Sequence, residues 1–201
     1  MATAARPVAG PPDGTGAHAA PAPRPATEAE AKALASAVRL RILRACLDEP
    51  LTNREIAERL GINPGTALHH VRTLVDTGFL APQPVRRGAR GAREIPYLTT
   101  GKSWTLSVHE SALRTSNTRA MLEAFQQEIS LLPDLCDTSV YRLGLRLTDA
   151  ERVEFAHRLH ALLQEYADRT LNERGGNGRP YSLLVVLHPD TDREVTPPAD
   201  S

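Results

Sequence analysis

The sequence predicts an α+β protein, with an N-terminal domain of short helices closed by a β-hairpin, then a C-terminal helix and a small α/β segment. Three observations lead there. Apolar residues recur at helical spacing from residue 34 to 80, cap signatures punctuate that stretch, and two later segments read as strands. At 201 residues, with 41% hydrophobic and 24% charged side chains, the composition suits one or two small globular domains. No apolar run approaches the roughly 18 residues of a membrane-crossing helix, so no membrane partner is expected.

Residues 1–27 hold six Pro, three Gly and nine Ala, with Val8 the only larger aliphatic. They cannot bury enough apolar area to offset ordering entropy, which predicts a disordered tail. Thr27 with Glu30 then forms a capping box, and Leu34, Val38, Leu40, Ile42, Leu43 and Leu47 keep helical spacing up to Pro50. This predicts a first helix of about 20 residues.

Thr52 caps a short helix carrying Ile56, Ala57 and Leu60, which Gly61 ends. Asn63 is an N-cap, Pro64 occupies the first helical position, and Ala67, Val71 and Leu74 make an apolar stripe that runs out at Gly78. Two short helices joined by a glycine turn read as a helix-turn-helix. Phe79-Leu80 and Ile95-Pro96-Tyr97-Leu98-Thr99 flank a Gly- and Arg-rich stretch, the pattern of a β-hairpin wing. Trp104 and Leu106 are expected to close this domain, set at residues 28–106, with Trp104 and Tyr97 in its core.

Residues 107–195 are expected to serve dimerisation, with sensing as a second candidate role, and 196–201 to be a loose tail. Leu113, Met121, Leu122, Phe125, Ile129 and Leu132 share one face of a long helix ending before Pro133. Tyr141, Leu143, Leu145 and Leu147 alternate with Arg142, Gly144 and Arg146, predicting a half-buried strand. Thr148 and Glu151 cap a further helix running to about Glu173. Tyr181 to Leu187 is apolar but for Ser182, predicting a buried strand.

Zero net charge hides a division along the chain. Residues 28–104 hold 12 basic against 8 acidic side chains, and residues 105–201 hold 10 against 15. A basic module joined to an acidic one fits a nucleic-acid binder whose second half avoids the polyanion.

Leu40-Arg41-Ile42-Leu43, Thr52-Asn53-Arg54-Glu55-Ile56-Ala57, Leu60 to Thr66, His69-His70-Val71, Leu74 and Gly78-Phe79-Leu80 follow one another without a gap. Over residues 34–104 this order resembles the winged-helix domain of the ArsR-like bacterial transcriptional regulators. The resemblance implies a DNA-binding regulator. The thiolate-rich motif of the metal-sensing members is absent, and Cys46 alone does not restore it, so neither a metal nor another cofactor is expected.

A recognition helix fits the major groove, which is roughly 12 Å wide, with its first turns facing the bases. With Ala67, Val71 and Leu74 turned to the core, Gly65, Thr66, Leu68, His69, Arg72 and Thr73 lie on or beside the outward face. Base-edge contact is assigned to Thr66, His69 and Arg72, and close approach of a phosphate to Gly65. Thr52, Asn53 and Arg54 are candidates for phosphate contact, and Arg86, Arg87, Arg90 and Arg93 for the backbone or minor groove. Met121, Leu122, Phe125, Ile129 and Leu132 are assigned to a homodimer interface.

His70 reads as a packed structural histidine, and Cys46 and Cys136 as core thiols. His157, His160 and Glu154 fit a solvated helix face better than a metal site. With no nucleophile elbow and no phosphate-cradling glycine loop, no enzyme is expected. The two cysteines cannot make a disulfide framework, which suggests a reducing compartment and a cytoplasmic protein. A protein-interaction module, or a regulator gated by a small-molecule effector held between the last helix and the buried strand, remains the alternative.

Overall fold

A computed structural model describes residues 23–88, 91–174, 176–191 and 193. The chain is an α+β fold whose core lies in the first of its two parts. The segment expected as a tail ends in structure: strand β1 (Arg24–Pro25) runs parallel to β7 (Leu106–Ser107). The rest of that tail and the terminal segment 196–201 lie outside the described residues.

The expected long first helix is instead two, α1 (Glu28–Leu34) and α2 (Ala37–Ala45), because Ser36 restarts the chain as an N-cap. Arg39 folds back across the break, its guanidinium donating to the carbonyls of Lys32 and Ala33 at the end of α1. Thr27 caps α1 through the expected capping box, and the Glu30 of that box is buried. Arg24 and Lys102 each reach it at 2.6 Å. The two cations, Arg24 first, hold its carboxyl well below the usual carboxylate range against the opposing effect of burial.

Strand β2 (Leu51–Thr52) leads into α3 (Asn53–Leu60), and α4 (Pro64–Asp76) follows. Thr52 and Glu55 complete a capping box on α3. Gly61 ends that helix at φ 67° and ψ 35°, a left-handed conformation that glycine adopts without a Cβ penalty. Asn63 caps α4 through its side-chain oxygen, with Pro64 at the first helical position. The wing follows as β3 (Leu80–Pro82), β4 (Arg86–Arg87), β5 (Arg93–Glu94) and β6 (Pro96–Thr99). β6 is the middle of a three-stranded sheet, antiparallel to both β2 and β3, and β4 pairs with β5.

Ile42, Cys46, Ile56, Val71, Leu74, Phe79 and Leu80 are the largest fully buried side chains and fill the space between α2, α3, α4 and the sheet. Tyr97 is only partly buried against this core, and Trp104, expected in it, stands exposed on a short 3-10 turn.

Helix α5 (Ser111–Ser130) lies across α1 and α2, burying Asn117, Ala120 and Ala124. Its larger apolar residues fall on the adjoining flank, where Met121, Leu122 and, just past its end, Leu132 are exposed while Phe125 and Ile129 are half-buried. Helix α6 (Asp149–Asn172) starts at the expected Thr148–Glu151 capping box. Its end meets the first domain: Leu171 packs on Gly101, and Arg174 donates to the carbonyl of Thr99 at 2.8 Å.

The two strands expected at 141–147 and 181–187 are not formed. Both segments are neither helical nor paired, because no strand among the described residues lies alongside them as a ladder partner. Cys136, expected in a core, is exposed in the connection that precedes them.

Candidate nucleic-acid interface

The outward face of α4 is set by what its other face buries. Ala67, Val71 and Leu74 are almost wholly enclosed, which turns Thr66, His69 and Arg72 out to solvent at three-residue spacing. Arg72 makes no ion pair or hydrogen bond among the described residues, and neither does the hydroxyl of Thr66. His69 lies edge-on to His70, with ring centroids 5.4 Å apart. Thr73 is half-buried and donates its hydroxyl to the His69 carbonyl at 3.1 Å, a bond within the helix that leaves the side chain little to offer outside.

His70 is partly buried, as expected of a packed histidine, and burial first, then the charges of Arg39 and His69, lower its pKa. Its Nδ1 has no partner among the described residues.

Several residues expected at phosphates prove to be occupied. Thr52 is buried, its hydroxyl accepting from the backbone N–H of Glu55, so it shapes the start of α3 and cannot reach a ligand. Gly65 is exposed, but its N–H donates to Asn63 Oδ1 at 2.8 Å, so a phosphate would have to displace the cap. Asn53 donates through Nδ2 to the Pro64 carbonyl at 3.0 Å, fixing the start of α3 against that of α4. Arg54 is exposed and only loosely engaged, 3.3 Å from Glu58 on its own helix.

The wing arginines divide as well. Arg86 pairs with Glu55 at the start of α3 and lies 3.7 Å from Glu94, so it ties the wing to the helix-turn-helix. The Glu55 carboxyl is lowered in pKa chiefly by the Thr52 backbone N–H and further by Arg86. Arg87 and Arg93 face each other across the β4–β5 pair, exposed and without an ion pair among the described residues. Arg90 lies outside the described residues. No local pattern foretold the Glu55–Arg86 pair, whose members are 31 positions apart.

The arrangement is therefore a row of three free polar donors on one helix face, flanked by a wing with two unpaired guanidinium groups. Among the described residues no three His, Cys, Asp or Glu side chains come together to hold a metal.

A family model described as a helix-turn-helix domain matches residues 34–83. The match covers about a quarter of the chain. It runs from the end of α1 to the start of the wing and contains every candidate residue of α3 and α4. Comparison with curated proteins finds no match.

Among solved structures, the chain is similar to the wild-type ZitR of Lactococcus lactis in complex with DNA, at 18% identity over 65% of this chain and 74% of that one, with a TM-score of 0.29. It is similar to the transcriptional regulator SlyA at 16% identity over 66% and 76%, with a TM-score of 0.28. For a MarR transcriptional regulator from Methanosarcina mazei Go1 the values are 16%, 66%, 78% and 0.29. No helix among the described residues is long and apolar enough to cross a membrane.

Proposed function

We propose that the chain is a sequence-specific DNA-binding transcriptional regulator of ArsR-like kind that acts as a homodimer on double-stranded DNA in a bacterial cytoplasm. The observation that carries this reading is the free donor row Thr66, His69 and Arg72 on the exposed face of α4, beside Thr52, Asn53 and Gly65, whose donors are engaged within the helix-turn-helix. Such a helix reads base edges in the major groove, with Arg72 suited to a bidentate contact with guanine. Arg87 and Arg93, with Arg90 between them in sequence, supply phosphate or minor-groove contacts.

The acidic second half stays clear of the DNA and joins two copies, so that the pair reads an inverted repeat with half-sites about one helical turn apart. The flank of α5 bearing Met121, Leu122, Phe125, Ile129 and Leu132 supports this, because it stays largely open beside the face that α5 buries.

Genome-wide mapping of bound sites tests the reading, with enrichment of one palindromic sequence expected. Absence of any enriched sequence, or an affinity that does not fall with salt, would overturn it in favour of a protein-binding module.

A further inference from the structure

The C-terminal part exposes an unusual amount of apolar surface. Of the 22 large hydrophobic side chains that stand exposed among the described residues, 17 lie at or beyond Leu131. They concentrate in two segments and the helix between them. In residues 140–147, Val140, Tyr141 and Leu143 are 80%, 87% and 77% exposed, and in residues 181–187, Tyr181 and Leu183 are 72% and 68% exposed. Helix α6 between them carries an open groove whose apolar lining is Phe155, Leu159 and Leu162.

No backbone-to-backbone hydrogen bond joins either segment to another among the described residues. Yet from Tyr141 to Leu147 large apolar residues alternate with Arg142, Gly144 and Arg146, and 181–187 is apolar but for Ser182, the two patterns expected of half-buried and buried strands. Unpaired edges of this length and character invite another strand.

We propose that residues 140–147 and 181–187 complete a β-sheet only with the same segments of a second copy of the chain, and that α6 covers that shared sheet. The inference rests on the homodimer of the proposed function and gives it a second, larger contact.

Area supports a second copy as the occupant. The exposed side chains of the two segments offer on the order of 1,000 Å² per copy, so pairing two copies reaches the roughly 1,600 Å² of a stable interface. Pairing a strand with itself about a two-fold axis also makes one sequence its own complement.

Charge supports it too. Arg142 and Arg146 are exposed and make no ion pair among the described residues, while the first turns of α6 carry Asp149, Glu151 and Glu154 against Arg152 alone. A second copy brings these opposite charges together.

Hydrogen exchange and sedimentation of the full chain, at concentrations above and below dimer dissociation, test this. The amides of 141–147 and 181–187 are expected to exchange at least tenfold more slowly in the dimer than after dilution, with those of α3 and α4 unchanged. Leu143→Asp and Leu183→Asp are expected to weaken the dimer at least tenfold and to free these amides, while the winged-helix domain melts as in the parent. Phe125→Asp, on the α5 flank, weakens the dimer but leaves the amides slow wherever dimer remains.

Slow exchange that ignores dilution would mean that the sheet closes within one chain and would overturn the inference. So would dimers of Leu143→Asp and Leu183→Asp as tight as the parent; the dimer would then stand on α5. A parent chain that is monomeric at every concentration would overturn the shared sheet and the homodimer together, leaving DNA binding to its own assay.

Discussion

Arg86 of the wing is held by Glu55 at the start of α3, whereas its neighbour Arg87 faces Arg93 with neither in an ion pair among the described residues. The two adjacent arginines therefore have different work. Arg87→Ala and Arg93→Ala should each flatten the log–log salt dependence of DNA affinity by about 0.9 if each loses one phosphate contact. Arg86→Ala should leave that slope near the parent value and instead loosen the wing, seen as faster proteolysis between residues 82 and 96. Equal slope changes for all three would place Arg86 on the DNA after all.

On α4, His69→Ala and Arg72→Ala should each cost on the order of 1–3 kcal/mol on the preferred site and much less on random duplex. Fluorescence anisotropy with both duplexes distinguishes base reading from phosphate holding, since equal losses on the two would mean the latter.

Glu30 is buried between two cations, and Glu30→Gln should destabilise the N-terminal domain by about 2–3 kcal/mol, below the full loss for a wholly buried pair because Arg24 is half exposed. Because its folded pKa is depressed, the contribution is fully present above the ordinary Glu value of about 4.3 and is lost as pH falls below it. Its folded value lies far below that, so thermal melts from pH 7 to pH 3 should bring parent and variant closer without making them converge.

His70 has the same direction of shift for a different reason, its neutral form being favoured by burial. The unfolded chain takes up a proton near pH 6.5 and the folded chain only lower, so stability should fall on acidification below about 6.5. His70→Gln should remove that part of the fall, and a melt with unchanged pH dependence would show that the ring titrates freely.

The thiols should react unequally. Burial pushes the Cys46 thiol up to about 12, whereas Cys136 is exposed. Alkylation of the native protein at pH 8 should modify Cys136 within minutes and Cys46 only on unfolding, as mass spectrometry of peptides will show.

The helix-turn-helix was legible in residues because its signals are local. Thr52 with Glu55, Gly61, Asn63 with Pro64 and the stripe Ala67, Val71, Leu74 each act within one or two turns. Ser36 was harder, since a cap inside an unbroken apolar rhythm looks like any tolerated helical serine, and the backward reach of Arg39 is a contact of tertiary kind. The candidate site was half legible for a related reason. The pattern shows which way Thr66, His69 and Arg72 point, but not that Thr52, Gly65 and Arg86 spend their polar groups on Glu55 and Asn63. The segment 141–147 carries the alternation of a strand and 181–187 the apolar run of one, but neither pattern says where a ladder partner will come from.

The parallel pairing of Arg24–Pro25 with Leu106–Ser107 gives the N-terminal domain a mechanical property. The chain enters and leaves the domain through adjacent parallel strands, so tension between the N-terminal segment and the C-terminal half pulls on opposite ends of one short ladder. Its bonds, including Ala26 N–H to the Ser107 carbonyl at 2.8 Å, are loaded together in shear, as is the grip of Arg24 on Glu30. A tug on either end is thus borne at this clasp before any of it reaches α3, α4 or the wing.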